Sequence, residues 1–490
     1  MSAATPRVET PTAELPVVRA AVPPDGAPVG AHDVVVVANR LPVERDADGG
    51  WRTSPGGLVR ALLPTLRDRR GVWVGWTGAP DDDTGSFSDE GIDLSAVRLD
   101  AEQIRCHYES VSNGAFWPLY HDAIRPSNYD NDSWAVHREV NRAFAERAAA
   151  EAAPGAVVWV HDYHLQLVPA MLRELRPDLR IGFFLHIPFP PQELFMRLPW
   201  RDEVLAGLLG ADLVGFQRTV AAENFAGLAA RLLGLETRDG RVLTPDGRAV
   251  RVEAHPISID VDEIEGLSAR DETTWAVADI RARLGNPDVV LLGVDRLDYT
   301  KGIEERLAAF GALLDRRAEG RSARRPDVVL VQIAVPSREN VDDYQAQRDR
   351  VERLVGSING EHATLGYPAV HYLHQGFPLA DLVSLYRAAD VMVVTPLRDG
   401  MNLVAKEFVA ARIDGRGTLV LSEFAGAVDE LTDAVIVNPH DPEALVAALE
   451  TAIAIEPAEA ATRMAALRAA VAANDVHHWA GRFLAALGVG

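Results

Sequence analysis

Two successive series of short β-branched runs, each separated from the next by a longer amphipathic stretch rich in Ala and Leu, constrain this chain more than any other feature. Such alternation builds parallel strands joined by helical crossovers. The first series predicts strands at 33–37, 72–75, 157–161, 181–185 and 212–215. The second predicts strands at 289–293, 328–333, 370–373, 391–395, 418–422 and 434–437, with helices expected at 57–67, 135–151, 303–316 and 340–359. A chain of 490 residues exceeds one ordinary core. The expected fold is therefore α/β, two Rossmann-like doubly wound domains facing each other across a cleft. The boundaries fall at 33–259 and 260–473, between a Pro-rich tail at 1–32 and a last segment at 474–490, with the charged stretch 260–279 as the crossing.

The formal net charge is -22, from 49 basic and 71 acidic residues. The summed field repels nucleic acid and anionic membrane, so an anionic small substrate needs a pocket of gathered cations. No apolar run approaches the roughly 18 residues of a membrane helix. The tail has Pro6, Pro11, Pro16, Pro23, Pro24 and Pro28 but neither the basic flank nor the apolar block of an export signal, and is expected to be disordered. A single cysteine, Cys106, leaves no disulfide framework or multi-cysteine metal site. A cytoplasmic protein is expected.

In open α/β sheets ligands sit beyond the carboxyl ends of the strands, and the polar, Gly-containing strings of this chain fall there. Arg296 and Lys301 share one such loop, closed by Gly302. Two cations aimed at one point suit a diphosphate whose charge grows as a bond to it breaks. Only Lys301 and Lys406 are lysines in a chain that otherwise uses Arg. Lys406 is assigned a structural role, since adjacent side chains on a helix point apart and Glu407 is the one turned to the cleft.

The run Arg398-Asp399-Gly400-Met401-Asn402-Leu403 is a glycine turn opening a helix, an anion site of free backbone N–H groups, with Asp399 as the expected cap. Glu407, further along that helix, can hold ribose hydroxyls. Gly56 and Gly57 permit close backbone approach to a bound group. Arg40 and Arg338 add cations from opposite domains, placed to grip a phosphate. Tyr108 and Trp117 suit either a sugar face or the core. The His161, Asp162 and His164 spacing does not match a helical metal pair, and no metal or cofactor is expected.

Taken together and in order, Ala38-Asn39-Arg40, Ser54-Pro55-Gly56-Gly57, Trp117-Pro118-Leu119-Tyr120-His121, His161-Asp162-Tyr163-His164, Phe184-Leu185-His186-Ile187-Pro188, Arg296 to Gly302 and Arg398 to Glu407 resemble the trehalose-6-phosphate synthase family of glucosyltransferases. The resemblance covers about 33–479. It implies a GT-B fold, with the acceptor sugar phosphate held mainly by the first domain, the nucleotide sugar by the second, and a final helix around 474–487 crossing back to the first. It implies Arg296 and Lys301 on the donor diphosphate, Glu407 on its ribose, Asp399, Gly400, Met401, Asn402 and Leu403 on the glucosyl unit and phosphates, and Gly56 and Gly57 against the donor. Asp162 and His186 would contact the transferring glucose, and Arg40, Tyr108, Trp117 and Arg338 the glucose 6-phosphate. The segment around Phe377 would border the base, leaving uracil and guanine both open. The family is metal-independent and retains anomeric configuration. A homo-oligomer is open, and a separate phosphatase would act downstream. The alternatives are another acceptor, or a catalytically silent sugar-phosphate sensor.

Overall fold

The computed structural model of the chain describes residues 30–45, 50–53, 59, 62, 66, 70–82, 84–89, 91–318, 327–337 and 342–488. Residues 1–29 of the expected tail, Gly56, Gly57, Arg338, most of the helix expected at 57–67 and the start of the one expected at 340–359 lie outside the described residues; the tail is expected to run to 32, but His32 already begins a strand.

Two sheets form the scaffold. The larger has ten strands, and its parallel centre runs Ile92–Ala96, Gly71–Trp76, His32–Arg40, Ala152–His161, Arg180–Phe184, Leu213–Phe216 and Ala249–Ala254 in space. The smaller is wholly parallel, in the order Val370–Leu373, Val328–Val335, Val289–Arg296, Val391–Val394, Thr418–Ser422 and Val435–Val437. Both are doubly wound, and in both the order reverses beside the first strand. Crevices open at such switch points because the crossovers on either side leave to opposite faces.

Every expected strand is present, displaced by a few residues at its ends. Two further parallel strands, Ile92–Ala96 and Ala249–Ala254, have no counterpart in the expected set, and the other additions are short. Ser86–Asp89 pairs antiparallel at one edge, and Thr237–Arg238 and Arg241–Leu243 finish the other. The central strands read as unbroken apolar runs because both faces are covered: Val34 and Val36 pack to one side of the sheet, Val35 and Val37 to the other.

Residues 260–283 form two helices, Val261–Ser268 and Asp271–Arg283, with Asp260 capping the first by accepting from the Glu263 amide at 2.9 Å. The last helix, Val476–Ala486, lies on the ten-stranded sheet. Phe483 stacks on Trp159 at 4.3 Å between centroids, and Trp479 donates to the His255 carbonyl at 3.1 Å. Gly182 and Gly215 leave room for that ring; a Cβ at either would stand 2.7 or 2.6 Å from it. Among the described residues no helix is long and apolar enough to cross a membrane.

Candidate active site

The carboxyl ends of strands from both sheets close on one cavity of about 290 Å³, lined by His186, Gln217 and Ile257 from one side and by Asp295, Arg296, Lys301, Asp399, Met401, Asn402 and Leu403 from the other. Arg296 ends the strand Val289–Arg296, and Lys301 ends the one-turn 3₁₀ helix Tyr299–Lys301 that follows. Their surroundings differ. Arg296 is exposed and its guanidinium lies 5.3 Å from the ring centre of Trp117, whereas Lys301 is buried and donates to Asp399 Oδ2 at 2.7 Å. Burial pushes the Asp399 carboxyl up, but the charge and hydrogen bond of Lys301 outweigh it and leave the group below its ordinary value.

Asp399 is therefore not the helix cap. Asn402 takes that place, at φ 86 with its Oδ1 accepting from the Ala405 amide at 3.0 Å, and the helix starts at Leu403. The glycine turn carries Asp399 too far ahead of the helix, where it binds Lys301 and accepts from Asn402 Nδ2 at 3.2 Å. Gly400 is required by closeness: a Cβ there would stand 2.3 Å from the His186 carbonyl oxygen, on the opposite wall.

Glu407 sits half-buried on this helix, one turn past the cavity-lining Leu403 and Val404, and accepts from the Tyr386 hydroxyl at 2.8 Å. Lys406, completely buried, donates to the Ile257 carbonyl at 2.9 Å and pairs with Glu430. It anchors the chain that leaves the first sheet, a structural role. Phe377 is half-buried and packs against the core beneath the second sheet.

On the facing wall, Asp162 follows the strand Ala152–His161 with φ 72 and ψ 170, a region L-residues rarely adopt. Its amide donates to the Phe184 carbonyl at 2.8 Å, and its Oδ1 accepts from the His186 amide at 3.2 Å. Holding such a backbone costs on the order of 1–3 kcal/mol, a strain typical of residues fixed for function. His186 places Nε2 3.1 Å from Nδ1 of the fully buried His161. Burial lowers His186 to about 3 and His161 well below its ordinary value, so both rings are neutral near pH 7.

Tyr108 and Trp117 come from an unusual stretch, the π-helix Ile104–Phe116 and the short turn Trp117–Tyr120. Tyr108 stacks on His164 at 5.9 Å and meets the edge of Trp76, over which the exposed Arg40 guanidinium lies at 4.9 Å. Arg40, Tyr108 and Trp117 thus belong to the side of the first sheet, with Trp117 reaching Arg296 of the second.

Sequence reasoning missed Gln217 and Arg306. Gln217 donates to the His186 carbonyl at 3.3 Å and accepts from the Ile257 amide at 3.0 Å; its position one residue past the strand Leu213–Phe216 was the available signal. Arg306, 1% exposed, joins Asp295 at 2.5 Å, Gln332 at 2.9 Å, Thr395 at 3.1 Å and the Lys301 carbonyl at 3.4 Å. Ion pairs also cross the cleft, Arg218 to Asp429 at 2.7 Å and Arg398 to Asp122 at 3.3 Å. A larger cavity of about 420 Å³ lies at Leu297, Tyr344, Arg348, Asp349, Glu352 and His374; the one arginine among its described lining residues, Arg348, is paired with Glu352 at 2.7 Å.

The model of glycosyltransferase family 20 matches residues 32–488. The trehalose-6-phosphate synthase of Mycobacterium avium is 54% identical over 477 residues, covering 94% of this chain and 96% of that one. An E. coli structure described as trehalose-6-phosphate bound with UDP-2-fluoro glucose superposes with a TM-score of 0.84 at 35% identity, covering 93% of this chain and 98% of that one. A UDP-forming α,α-trehalose-phosphate synthase from Burkholderia xenovorans in complex with glucose-6-phosphate does so with 0.84 at 32%, covering 93% and 99%. The two doubly wound sheets are the GT-B fold of these structures. The chain belongs to glycosyltransferase family 20, among the trehalose-6-phosphate synthases, and is an enzyme of glycosyl transfer.

Proposed function

We propose that this enzyme transfers glucose from a nucleotide glucose to glucose 6-phosphate, giving α,α-trehalose 6-phosphate with retention at the donor carbon and without a metal ion. The observation that carries this reading is the meeting, in one cavity, of Arg296, Lys301 and the start of the helix Leu403–Ala411 with His186 on the opposite wall, whose amide donates to Asp162. Relatives of the same fold bind UDP-2-fluoro glucose and glucose 6-phosphate, the two chemistries such a cleft must hold.

In the reaction proposed, the bond from the glucose anomeric carbon to the diphosphate breaks, and the acceptor's anomeric hydroxyl oxygen attacks on the face the diphosphate leaves. The proton of that hydroxyl passes to a departing phosphate oxygen. Arg296 and Lys301 stabilise the charge that accumulates there, assisted by the helix N-terminus, which is where preorganised donors gain most. Asp162 and His186 hold the transferring sugar, Glu407 the ribose, and the segment at Phe377 the base. Gly56 and Gly57 would approach the donor. Arg40, Tyr108, Trp117 and Arg338 would bind the acceptor, so that its phosphate bridges residues 33–259 and 260–473. A cytoplasmic location and a separate downstream phosphatase belong to the same reading.

The test is an assay of the purified chain with glucose 6-phosphate against a panel of nucleotide glucoses, with product identified by NMR, in the presence and absence of EDTA. α,α-Trehalose 6-phosphate formed in EDTA is expected. A different disaccharide, or activity restored only by a divalent ion, would overturn the reading.

A further inference from the structure

His161 is a buried polar group directly behind His186 that the reaction above does not use. It ends the central strand Ala152–His161, is fully shielded from solvent, and tilts its ring against Trp159 at 4.9 Å. Its Nδ1 faces Nε2 of His186 at 3.1 Å, and its Nε2 is buried with no hydrogen-bond partner among the described residues. His186 lines the cavity, and no partner for its Nδ1 occurs among the described residues.

Two neutral imidazoles in this arrangement share a single proton between the facing nitrogens. If His186 Nε2–H donated, His161 would carry its proton on Nε2, a buried N–H with nothing to receive it. If His161 Nδ1–H donates, the unpartnered atom is a lone pair. Orphaned buried N–H groups are the rarer of the two, since a polarised hydrogen loses more when water is withdrawn. The second arrangement moves the proton of His186 to Nδ1.

We propose that His161 is a positioning residue that locks His186 in its Nδ1–H tautomer, so that the cavity wall offers a hydrogen-bond donor beside the Asp162 carboxylate acceptor. A donor and an acceptor held together match a sugar hydroxyl, which both accepts and donates. Asp162 is tied into the same unit through the His186 amide, so tautomer, ring orientation and carboxylate are set as one. This rests on the glucosyl-transfer reading above, because the ligand it orients is the donor's sugar.

The test uses the full-length enzyme with ¹⁵N-labelled histidine, the His186 signals being assigned by their loss in His186→Gln. In the wild type His186 should show a protonated Nδ1 and an unprotonated Nε2. His161→Phe should shift it toward Nε2–H and lower kcat/KM for the nucleotide glucose by about tenfold, the value of one neutral hydrogen bond, with KM for glucose 6-phosphate unchanged. His161→Asn, whose amide N–H can reach the place of Nδ1–H, should restore both the tautomer and most of the rate. An Nε2–H tautomer on wild-type His186, or a His161→Phe enzyme with its tautomer unchanged, would overturn the proposal. If His161→Phe fails to fold, the wild-type spectrum and the Asn variant decide it. A wild type that transfers no glucose would sink the functional reading alone, since the spectrum still reads the tautomer.

Discussion

The ammonium of Lys301 and the carboxylate of Asp399, 98 positions apart in the chain, meet at 2.7 Å in the wall of the cavity and are both withdrawn from solvent. Lys301 is thus a structural cation as well as a candidate catalytic one, which separates it from Arg296. A loop at a strand end is ordinarily expected to face solvent, so that alanine variants in it fold normally. With the exposed Arg296 that expectation stands; with Lys301 it does not. Lys301→Ala should lower kcat about 10²-fold, as removal of a charge-stabilising donor does. It should also destabilise the fold by about 3 kcal/mol, because Asp399 is left buried and unpaired. Arg296→Ala should lose comparable rate with an unchanged melting temperature. Lys301→Met combined with Asp399→Asn should regain stability and not activity. Equal melting of Lys301→Ala and wild type would show that the pair contributes nothing to the fold.

Buried neutral imidazoles give the enzyme a predictable weakness to acid. Burial holds His107 and His186 at about 3 and His121 at about 4, below the unfolded value near 6.5. Between those values the unfolded chain binds protons that the folded chain refuses. Stability is therefore full above pH 6.5 and falls as pH drops toward 3, by about 1 kcal/mol per pH unit for each such ring. The depressed carboxyl of Asp399 acts in a lower window: its contribution is present above its unfolded pKa, near 4, and is lost as pH falls through the folded value. Urea denaturation at pH 7 and pH 5 checks the first window, and His107→Asn should flatten the slope. A flat profile over that range would mean that the rings are protonated in the folded state.

Much of this was legible in the chain. A parallel strand covered on both faces must be apolar throughout, so runs such as Val34 to Val37 could not be mistaken. Edge strands such as Ser86–Asp89 carry no such pattern, since one side faces water. The site was legible where polar residues follow a strand, as at Asp162 and Arg296. It was misjudged at Asp399, because a helix start after a glycine turn has several candidate caps and only the backbone at Asn402 decides between them. Arg306 left a sign that went unused: it shares a helical face with Ile303, Leu307 and Phe310, all buried, and a charge on an apolar stripe needs a buried partner.

Gly400→Ala tests how closely the two walls must approach. The added methyl would meet the His186 carbonyl oxygen at 2.3 Å, and backbone on that side also includes Ile187 at 3.0 Å, so no flexible side chain can yield. Overpacking of this kind costs about 1–3 kcal/mol. The variant should melt earlier and show a raised KM for the nucleotide sugar. Wild-type kinetics would mean that the cleft has slack there.

Arg338→Ala addresses the phosphate-bridged cleft of the proposed function. KM for glucose 6-phosphate should rise strongly and KM for the donor much less, with discrimination against free glucose reduced. Arg338→Lys should recover only part, because an ammonium lacks the bidentate fork that matches phosphate. Loss confined to donor affinity would move Arg338 to the nucleotide site.

Arg306 ties the second switch point together, and its removal should be the most damaging of these changes to structure and rate at once. Its guanidinium joins Asp295, Gln332 and Thr395, which lie on three neighbouring strands or just past their ends, and reaches the carbonyl of Lys301. Asp295 lines the cavity immediately before Arg296, so the same contacts fix where both candidate cations start. Arg306→Ala leaves the Asp295 charge buried without its partner, a loss of about 3–5 kcal/mol. Arg306→Lys keeps the charge but concentrates its donors at one point, and cannot span the separate acceptors the fork now serves. The lysine variant should therefore fold, melt earlier than wild type, and show a lower kcat with little change in KM for glucose 6-phosphate. Thermal unfolding with steady-state kinetics on both substrates measures this. A lysine variant that melts early yet keeps wild-type kcat would confine Arg306 to stability and free the Arg296 and Lys301 geometry from it.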